Sequence, residues 1–359
     1  MKLVLVVIFA VVVQGLRIGN TLDDCKEAAL AFQSTCPSAP DTPATWSNTS
    51  SLNATALKCP STSCPGQDHC DLMHALCVTC YEQDSKVYMR LQTTSLPNRC
   101  IGGKGSDYRL MDFSIEFNPS VDGAERRIFA SQEEYEGQAC KVGKAHDSQV
   151  EERIVAHKIA DMYSQYLEDF VGVAIDGVLI KASTNDQGVD PLFPNGLEQG
   201  TVVTGSDVDS CLGSVDYWTN TYSYNALSPC LLSFDSIDTN KTCATVPNCF
   251  SDLPKYSAKP YLQSDVQILG IAKDGHLIIS NPSLDCMALD QCGGIMSQGS
   301  YVYVFNNRFP YTIDCYGPAM PRYYDAGKCS KNTCQQPFNG SIILVAWLAI
   351  LISSFGYFM

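Results

Sequence analysis

The chain has 359 residues, a formal net charge of -14 and 18 cysteines. The acidic balance excludes nucleic acid as a partner, because phosphate binding needs a basic surface, and it excludes electrostatic docking on anionic lipid. An even, high cysteine count reads as a disulfide framework formed in an oxidising compartment.

The N-terminus supplies the route there. Residues 1–15, MKLVLVVIFAVVVQG, set one early lysine before an apolar run from Leu3 to Val13, with the small Gly15 after it. This is a secretory signal-peptide pattern, expected to be cleaved after Gly15, and the run is too short to span a bilayer. A cysteine-rich, partly helical unit is expected over residues 16–85. Asn20-Thr21 is placed to cap a helix over about Leu22–Gln33, with Asp23 and Asp24 in the first turn, where the macrodipole favours them. Pro37–Thr55 is rich in Ser, Thr, Asn and Pro and reads as a solvated loop, with glycosylation sequons at Asn48 and Asn53. A second helix is expected from Asp68 to about Gln83, putting Cys70, Cys77 and Cys80 on one face. Facing Cys25 and Cys36 of the first helix, it would form a disulfide-stapled hairpin, with Cys59 and Cys64 as further bridging cysteines. Cys64, His69, Cys70, His74, Cys77 and Cys80 also have the residue types of a zinc site. Behind a signal peptide those thiols are expected to oxidise, and His69 and His74 are assigned no role.

From Val87 the pattern changes to short β-like segments, and a β-rich domain is expected over residues 86–325. Val87–Leu91 and Phe113–Phe117 alternate apolar and polar residues, as half-buried strands do. Between them and the next strands, Gln149–Asp169 has helically spaced apolar residues, among them Ile154, Val155, Ile159, Met162 and Leu167.

The domain contains a repeat, over about residues 171–230 and 269–317. Val171-Gly172-Val173-Ala174-Ile175-Asp176-Gly177-Val178-Leu179-Ile180 matches Leu269-Gly270-Ile271-Ala272-Lys273-Asp274-Gly275-His276-Leu277-Ile278. Each copy is two apolar strands around an Asp-Gly turn. Asp209-x-Cys211-x-Gly213 then precedes Tyr222-x-Tyr224, and Asp290-x-Cys292-x-Gly294 precedes Tyr301-x-Tyr303. Four features recurring in order indicate a duplication. The expected fold is therefore mainly β: a duplicated, pseudo-twofold, β-rich domain preceded by a small disulfide-stapled helical unit. Cys100, Cys140, Cys211, Cys230, Cys243, Cys249, Cys286, Cys292 and Cys315 are expected to join the disulfide framework, in pairings the sequence leaves open. Asn240 carries a third sequon.

These motifs, with Phe309-Pro310-Tyr311-x-x-x-Cys315-x-Gly317, resemble the YHYH domain of secreted and surface proteins, over about Val87–Pro321. The resemblance implies a secreted location. The family places histidines beside the tyrosines of its name-giving motif and after the Asp-x-Cys-x-Gly glycine. Here the copies read Tyr222-Ser223-Tyr224-Asn225 with Ser214, and Tyr301-Val302-Tyr303-Val304 with Ile295. Alternating histidines on one strand face can share a metal ion, and the residues replacing them offer no such ligand set. His276 sits just past the second Asp-Gly and is expected to be a solvent-facing turn residue; His146 and His157 are likewise assigned no role.

At the far end, residues 326–341 are expected to be a short stalk and residues 342–359 a hydrophobic attachment signal for a GPI anchor, since no Lys or Arg follows the apolar run Ile342–Ile352. Attachment at Ser330 or Asn332 leaves the usual spacer of about 8–12 residues, whereas Asn339 opens a trio of small residues but abuts the apolar run. A single-pass C-terminal segment is the alternative.

Two readings of function follow. The first is a non-catalytic surface glycoprotein, tethered by its lipid anchor, that meets an extracellular protein, glycan or small ligand. The second is a metal-dependent enzyme or metal carrier with weak candidate donors Asp209, Tyr222, Tyr224, Asp290, Tyr301, Tyr303 and His276. No catalytic residue and no cofactor is predicted. The chain has no Walker loop, dinucleotide fingerprint, His-Glu-x-x-His or Gly-x-Ser-x-Gly. The two readings differ in whether the Tyr-x-Tyr pairs and aspartates share a cavity or pack in the core.

Overall fold

A computed structural model describes residues 19–36, 54–64, 66–102, 110–121, 127, 131–134, 154–156, 170–185, 189–195, 205–216, 220–232, 237–262, 266–280, 288–321 and 326–334. The first element, α1 (Leu22–Ala29), starts where the capping residues place it. The Thr21 hydroxyl accepts from Asp24 N, and Asp24 Oδ2 accepts from Thr21 N at 2.9 Å, closing a capping box. The helix ends short of the expected Gln33.

The second expected helix is not formed. Residues 68–83 instead make β2 (His69–His74) and β3 (Leu76–Gln83), with β1 (Thr55–Pro60) paired to β2. A tight turn at Asp84 and Ser85, both left-handed (φ 50° and 62°), leads β3 into β4 (Lys86–Thr93). Two left-handed residues between strands are the type I′ hairpin turn, whose twist suits the strands it joins. The cysteines given to a helix face still staple the unit, but onto a sheet. Cys25 and Cys36 reach Cys80 and Cys77 of β3, Cys59 joins Cys100, and Cys64 joins Cys70. Every cysteine of the zinc-like set is thereby oxidised.

β3, β4, β5 (Met111–Glu116) and β6 (Val155–Ala156) form an antiparallel sheet. Val155 and Ala156, which carry helical spacing in the sequence, are thus strand residues; the rest of that stretch, apart from Ile154, lies outside the described residues. The expected boundary after residue 85 falls inside the β3–β4 hairpin. Cys25, Ala28 and Phe32 share one hydrophobic core with Met89, Phe113, Val173 and Ile271, so the small unit and the β-rich domain pack as one body. Inside this sheet the Arg90 guanidinium clamps Asp112 bidentately at 2.7 and 2.5 Å, and Gln92 donates to the same carboxylate.

The repeat forms an eight-stranded sheet. The first copy supplies β7 (Phe170–Ala174), β8 (Leu179–Lys181), β9 (Gly213–Val215) and β10 (Tyr222–Tyr224). The second supplies β11 (Gln267–Ala272), β12 (Leu277–Ser280), β13 (Gly294–Ser297) and β14 (Ser300–Val304). A short helix, α2 (Leu253–Ala258), lies between the copies in sequence. The strand order, β13-β14-β12-β11-β7-β8-β10-β9, reads the same from either edge when equivalent strands are exchanged. The central pair β7–β11 is antiparallel, with Ile271 opposite Val173, Gly270 opposite Ala174 and Ala272 opposite Gly172. Ile271 and Val173 are equivalent residues, so the pseudo-twofold axis passes between them. Both copies carry a register shift at the same place, between Phe170 and Gly172 and between Ile268 and Gly270. Both pair their tyrosine strand parallel to the second hairpin strand, Tyr224 opposite Ile180 and Tyr303 opposite Ile278.

The expected stalk is a second correction. Residues 326–334 are packed against the fold rather than leaving it. Ser330 is buried and its hydroxyl donates to Asp190, which also accepts from Tyr311 at 2.9 Å. Thr333 bridges Phe309, and Cys329 and Cys334 are both in disulfides.

Candidate functional site: the paired tyrosine–aspartate clusters

Each copy assembles one cluster from its three motifs. In the Asp-Gly turns, Gly177 (φ 85°) and Gly275 (φ 93°) take the left-handed conformation that lets a hairpin reverse. The preceding aspartate does two things. Its Oδ1 accepts from the backbone two residues on (Val178 N and His276 N, each 3.3 Å), which is turn chemistry. Its Oδ2 accepts from the second tyrosine of the pair: Tyr224 to Asp176 at 2.5 Å, and Tyr303 to Asp274 at 2.6 Å.

The Asp-x-Cys-x-Gly motif explains itself in the same geometry. Asp209 Oδ1 accepts from Cys211 N (2.9 Å) and Gly213 N (3.1 Å), and Asp290 Oδ1 accepts from Cys292 N and Gly294 N, both at 2.9 Å. The other oxygen accepts from the first tyrosine, Tyr222 at 2.8 Å or Tyr301 at 2.7 Å. The cysteine crosslinks the loop, Cys211 to Cys230 and Cys292 to Cys315. The glycine is required by space: a Cβ on Gly213 would overlap the Tyr222 phenol, and one on Gly294 the Tyr301 phenol.

All four tyrosines are fully buried, at 0–1% exposure, and Asp176, Asp209, Asp274 and Asp290 are at 1–8%. Burial raises the carboxyls of Asp176, Asp209 and Asp290 above the ordinary aspartate value. It also pushes Tyr222, Tyr224 and Tyr303 well above the ordinary phenol value, so these hydroxyls stay protonated donors. The structure therefore brings Asp209 to Tyr222 and Asp290 to Tyr301, and the Tyr-x-Tyr pairs lie in the core.

The copies differ in what completes them. In the first, Arg99 enters from outside the repeat. Its Nη2 donates to Tyr224 at 2.9 Å and Tyr222 at 3.2 Å, and Nη1 lies 3.6 Å from Asp209. Burial works against its charge, but the two tyrosines, Asp209 and Asp176 hold its pKa well above the ordinary arginine value. In the second copy, backbone amides stand there: Gly317 N donates to the Tyr303 hydroxyl and Ala319 N to Asp290, each at 2.9 Å. His276, the residue expected at the surface, is instead 3% exposed. Its ring stands edge-on to Tyr301 at 5.3 Å, and its Nδ1 is 3.1 Å from Asn118 Oδ1. Burial follows because Asn118, after β5, docks on this turn through its own N–H to Gly275 O.

Arg99 and Asn118 are the residues sequence reasoning missed. Neither lies in the repeat, and neither has a local signal. Among the described residues no three His, Cys, Asp or Glu side chains converge as a metal site. His74 is buried with Nδ1 against Leu96 O, and His69 is exposed on β2. Of the modification candidates, Asn240 sits in a turn with its side chain half-buried, while Asn48, Asn53 and Asn339 lie outside the described residues. Asn332 donates from Nδ2 to Tyr311, and lipid attachment at Ser330 or Asn332 would excise the disulfide-bonded Cys334. Cys140 and Cys286 also lie outside the described residues, whereas Cys243 pairs with Cys249. No helix among the described residues is long and apolar enough to cross a membrane. The density of disulfides is that of an extracellular or secretory-pathway protein. No family model, no curated protein and no solved structure matches the chain.

Proposed function

We propose that this chain is an extracellular, GPI-anchored glycoprotein whose degenerate YHYH-like domain binds a partner and performs no catalysis. One observation carries the reading: the polar residues of both motif copies face one another inside the core. Each tyrosine hydroxyl donates to a buried aspartate, and each motif aspartate also caps backbone amides. Such groups hold a fold together. They present no donor set to a substrate, and burial, which pushes Tyr222, Tyr224 and Tyr303 well above the ordinary phenol value, opposes the phenolate that metal ligation or base chemistry would use. The disulfides and the packed C-terminal segment suit a durable exposed domain. The sequons at Asn48, Asn53 and Asn240 would carry its sugars. The anchor is assigned to the Asn339 neighbourhood, because that site keeps Cys334 in the folded domain.

The deciding experiment is metal analysis of the full-length chain, purified without a metal-binding tag and dialysed against a weak chelator. The expected result is a folded protein with substoichiometric metal. One equivalent of tightly held metal, lost in Asp290→Asn or Asp209→Asn with folding intact, would overturn the reading in favour of a metal enzyme or carrier.

A further inference from the structure

Two disulfides meet at the ribbon formed by β1 and β2. Cys59 of β1 is bridged to Cys100, and Cys70 of β2 is bridged to Cys64. Cys59 and Cys70 also stand directly opposite one another in the antiparallel pair. Among the described residues this is the one strand pair that sets cysteines of two different bridges face to face. We propose that these bridges form a redox-sensitive switch: a dithiol reductant that opens Cys59–Cys100 triggers exchange to a Cys59–Cys70 crosslink, which frees the strap that carries Arg99. The proposal does not rest on the binding reading above.

The geometry favours the exchange. Opposite residues of an antiparallel pair point to one face, with Cα atoms roughly 4.5–5.5 Å apart, inside the roughly 4.4–6.8 Å that a disulfide spans. The second bridge lies against the first, with Cys64 Sγ 3.6 Å from Cys59 O. Cys59 is 1% exposed, whereas Cys100 is half-buried, so a reductant reaches Cys100 Sγ and Cys59 departs as the thiolate. That thiolate is enclosed beside Cys70. It attacks Cys70 Sγ: the Cys59–Cys70 bond forms, the Cys64–Cys70 bond breaks, and Cys64 leaves as a thiolate that takes up a proton. The second thiol of the reductant then displaces Cys100 from the mixed disulfide. Two electrons have passed from the dithiol, now a disulfide, to the chain, which holds one bridge in place of two and thiols at Cys64 and Cys100.

The exchange releases the end of a strap over residues 94–102. The start of the strap is fixed on the first copy. Ser95, left-handed at φ 56°, donates from Oγ to Tyr222 O at 2.6 Å and accepts from Leu179 N at 3.1 Å. The ribbon holds the middle and the end, through His74 Nδ1 against Leu96 O and through Cys59 on Cys100. Arg99 reaches Tyr222 and Tyr224 from between those two ties. The second cluster uses the N–H groups of Gly317 and Ala319 in its place, so the switch acts on the first copy alone.

The test treats the full-length chain with one equivalent of dithiothreitol, quenches it with acid at intervals and alkylates it with a maleimide. Cleavage before Asp68 separates Cys70 from Cys59 and Cys64, so mass spectrometry reads each partner. The expected result is thiols at Cys64 and Cys100 that rise together with a Cys59–Cys70 crosslink, the other bridges staying intact. In Cys64→Ser/Cys70→Ser the same treatment should leave both Cys59 and Cys100 alkylated. If that variant does not fold, the map of the parent chain decides. In the exchanged form, amide hydrogen exchange over residues 94–102 should be at least tenfold faster. Three results overturn the proposal: Cys59 alkylated alongside Cys100 while Cys64–Cys70 persists, a different bridge opened first, or strap amides that exchange as in the untreated chain.

Discussion

Arg99 donates to the Tyr224 hydroxyl at 2.9 Å, in the place where the second copy uses the backbone N–H of Gly317 on Tyr303. The two copies solve one problem with different donors. The two buried carboxylates of the first cluster need a compensating positive charge, and Arg99 supplies it at 3.6 Å from Asp209. Removing one partner of a buried charge pair typically costs about 3–5 kcal/mol, because the other charge remains buried. Arg99→Met is therefore expected to destabilise the protein by that order in denaturant unfolding. Arg99→Met/Asp209→Asn should recover part of the loss. A single variant as stable as the parent would mean that Asp209 and Asp176 are neutral in the folded state.

The tyrosine hydroxyls should be visible in stability. Tyr303→Phe removes a donor to Asp274 and the acceptor of Gly317 N. Leaving buried polar groups unsatisfied costs about 1–3 kcal/mol. Tyr224→Phe removes the donor to Asp176 but leaves Arg99 bonded to Tyr222, so its cost is expected to be the smaller of the two. Denaturant midpoints of the two variants check the order. Parent-like stability in both would mean that the hydroxyls are not structural and would return them to a functional role.

The duplication was legible in the sequence because each motif residue acts locally. Asp-Gly turns the hairpin, and Asp-x-Cys-x-Gly caps, crosslinks and makes room for a phenol. The β3–β4 hairpin was less legible. Cys70, Cys77 and Cys80 do share one face at helical spacing, which is what points to a helix there. The β-rich run Cys77-Val78-Thr79-Cys80-Tyr81 was the better guide. His276 reads as a surface turn residue because its burial is set by Asn118, more than 150 positions away in sequence. The packed segment 326–334 reads as a stalk for a similar reason, since Ser330 is held by Asp190 across 140 positions. Long-range docking of short polar segments leaves no periodicity to read.

Acid should stabilise this protein rather than unfold it, down to the range of ordinary carboxyls. Asp176, Asp190, Asp209 and Asp290 are all raised by burial above the ordinary value of about 3.9. A carboxyl whose folded value is raised binds its proton more tightly in the folded chain. Its contribution is fully present below the unfolded value and is lost as pH rises through the folded one. Lowering the pH from 7.5 towards about 4 is thus expected to raise the melting temperature, and relief of the net charge of -14 acts in the same direction. Asp190→Asn should flatten the slope, because Tyr311 and Ser330 can turn their hydroxyls to accept from the amide. A melting temperature that falls steadily over this interval would show that the buried carboxyls are ionised and held low.

The limit of the folded domain bears on the proposed anchor. Asp190 accepts from Ser330 and Tyr311, Asn332 donates to Tyr311, and Lys331 N donates to Phe193 O, so residues 326–334 close over the loop at 189–195. Cys329 and Cys334 add covalent ties. A chain cut after residue 325 loses the partners of a buried carboxylate together with two disulfide-bonded cysteines. A chain cut after residue 338 keeps them. Expressed in secreting cells, the shorter form is expected to be retained and the longer one released folded. On the uncut chain, a phosphatidylinositol-specific phospholipase should free a protein that still contains Cys334, identified by its C-terminal peptide. A released form ending at Ser330 or Asn332 would mean that Cys334 has no structural role in the mature protein. Retention on the cell after complete digestion of a control would replace the lipid anchor with a membrane segment.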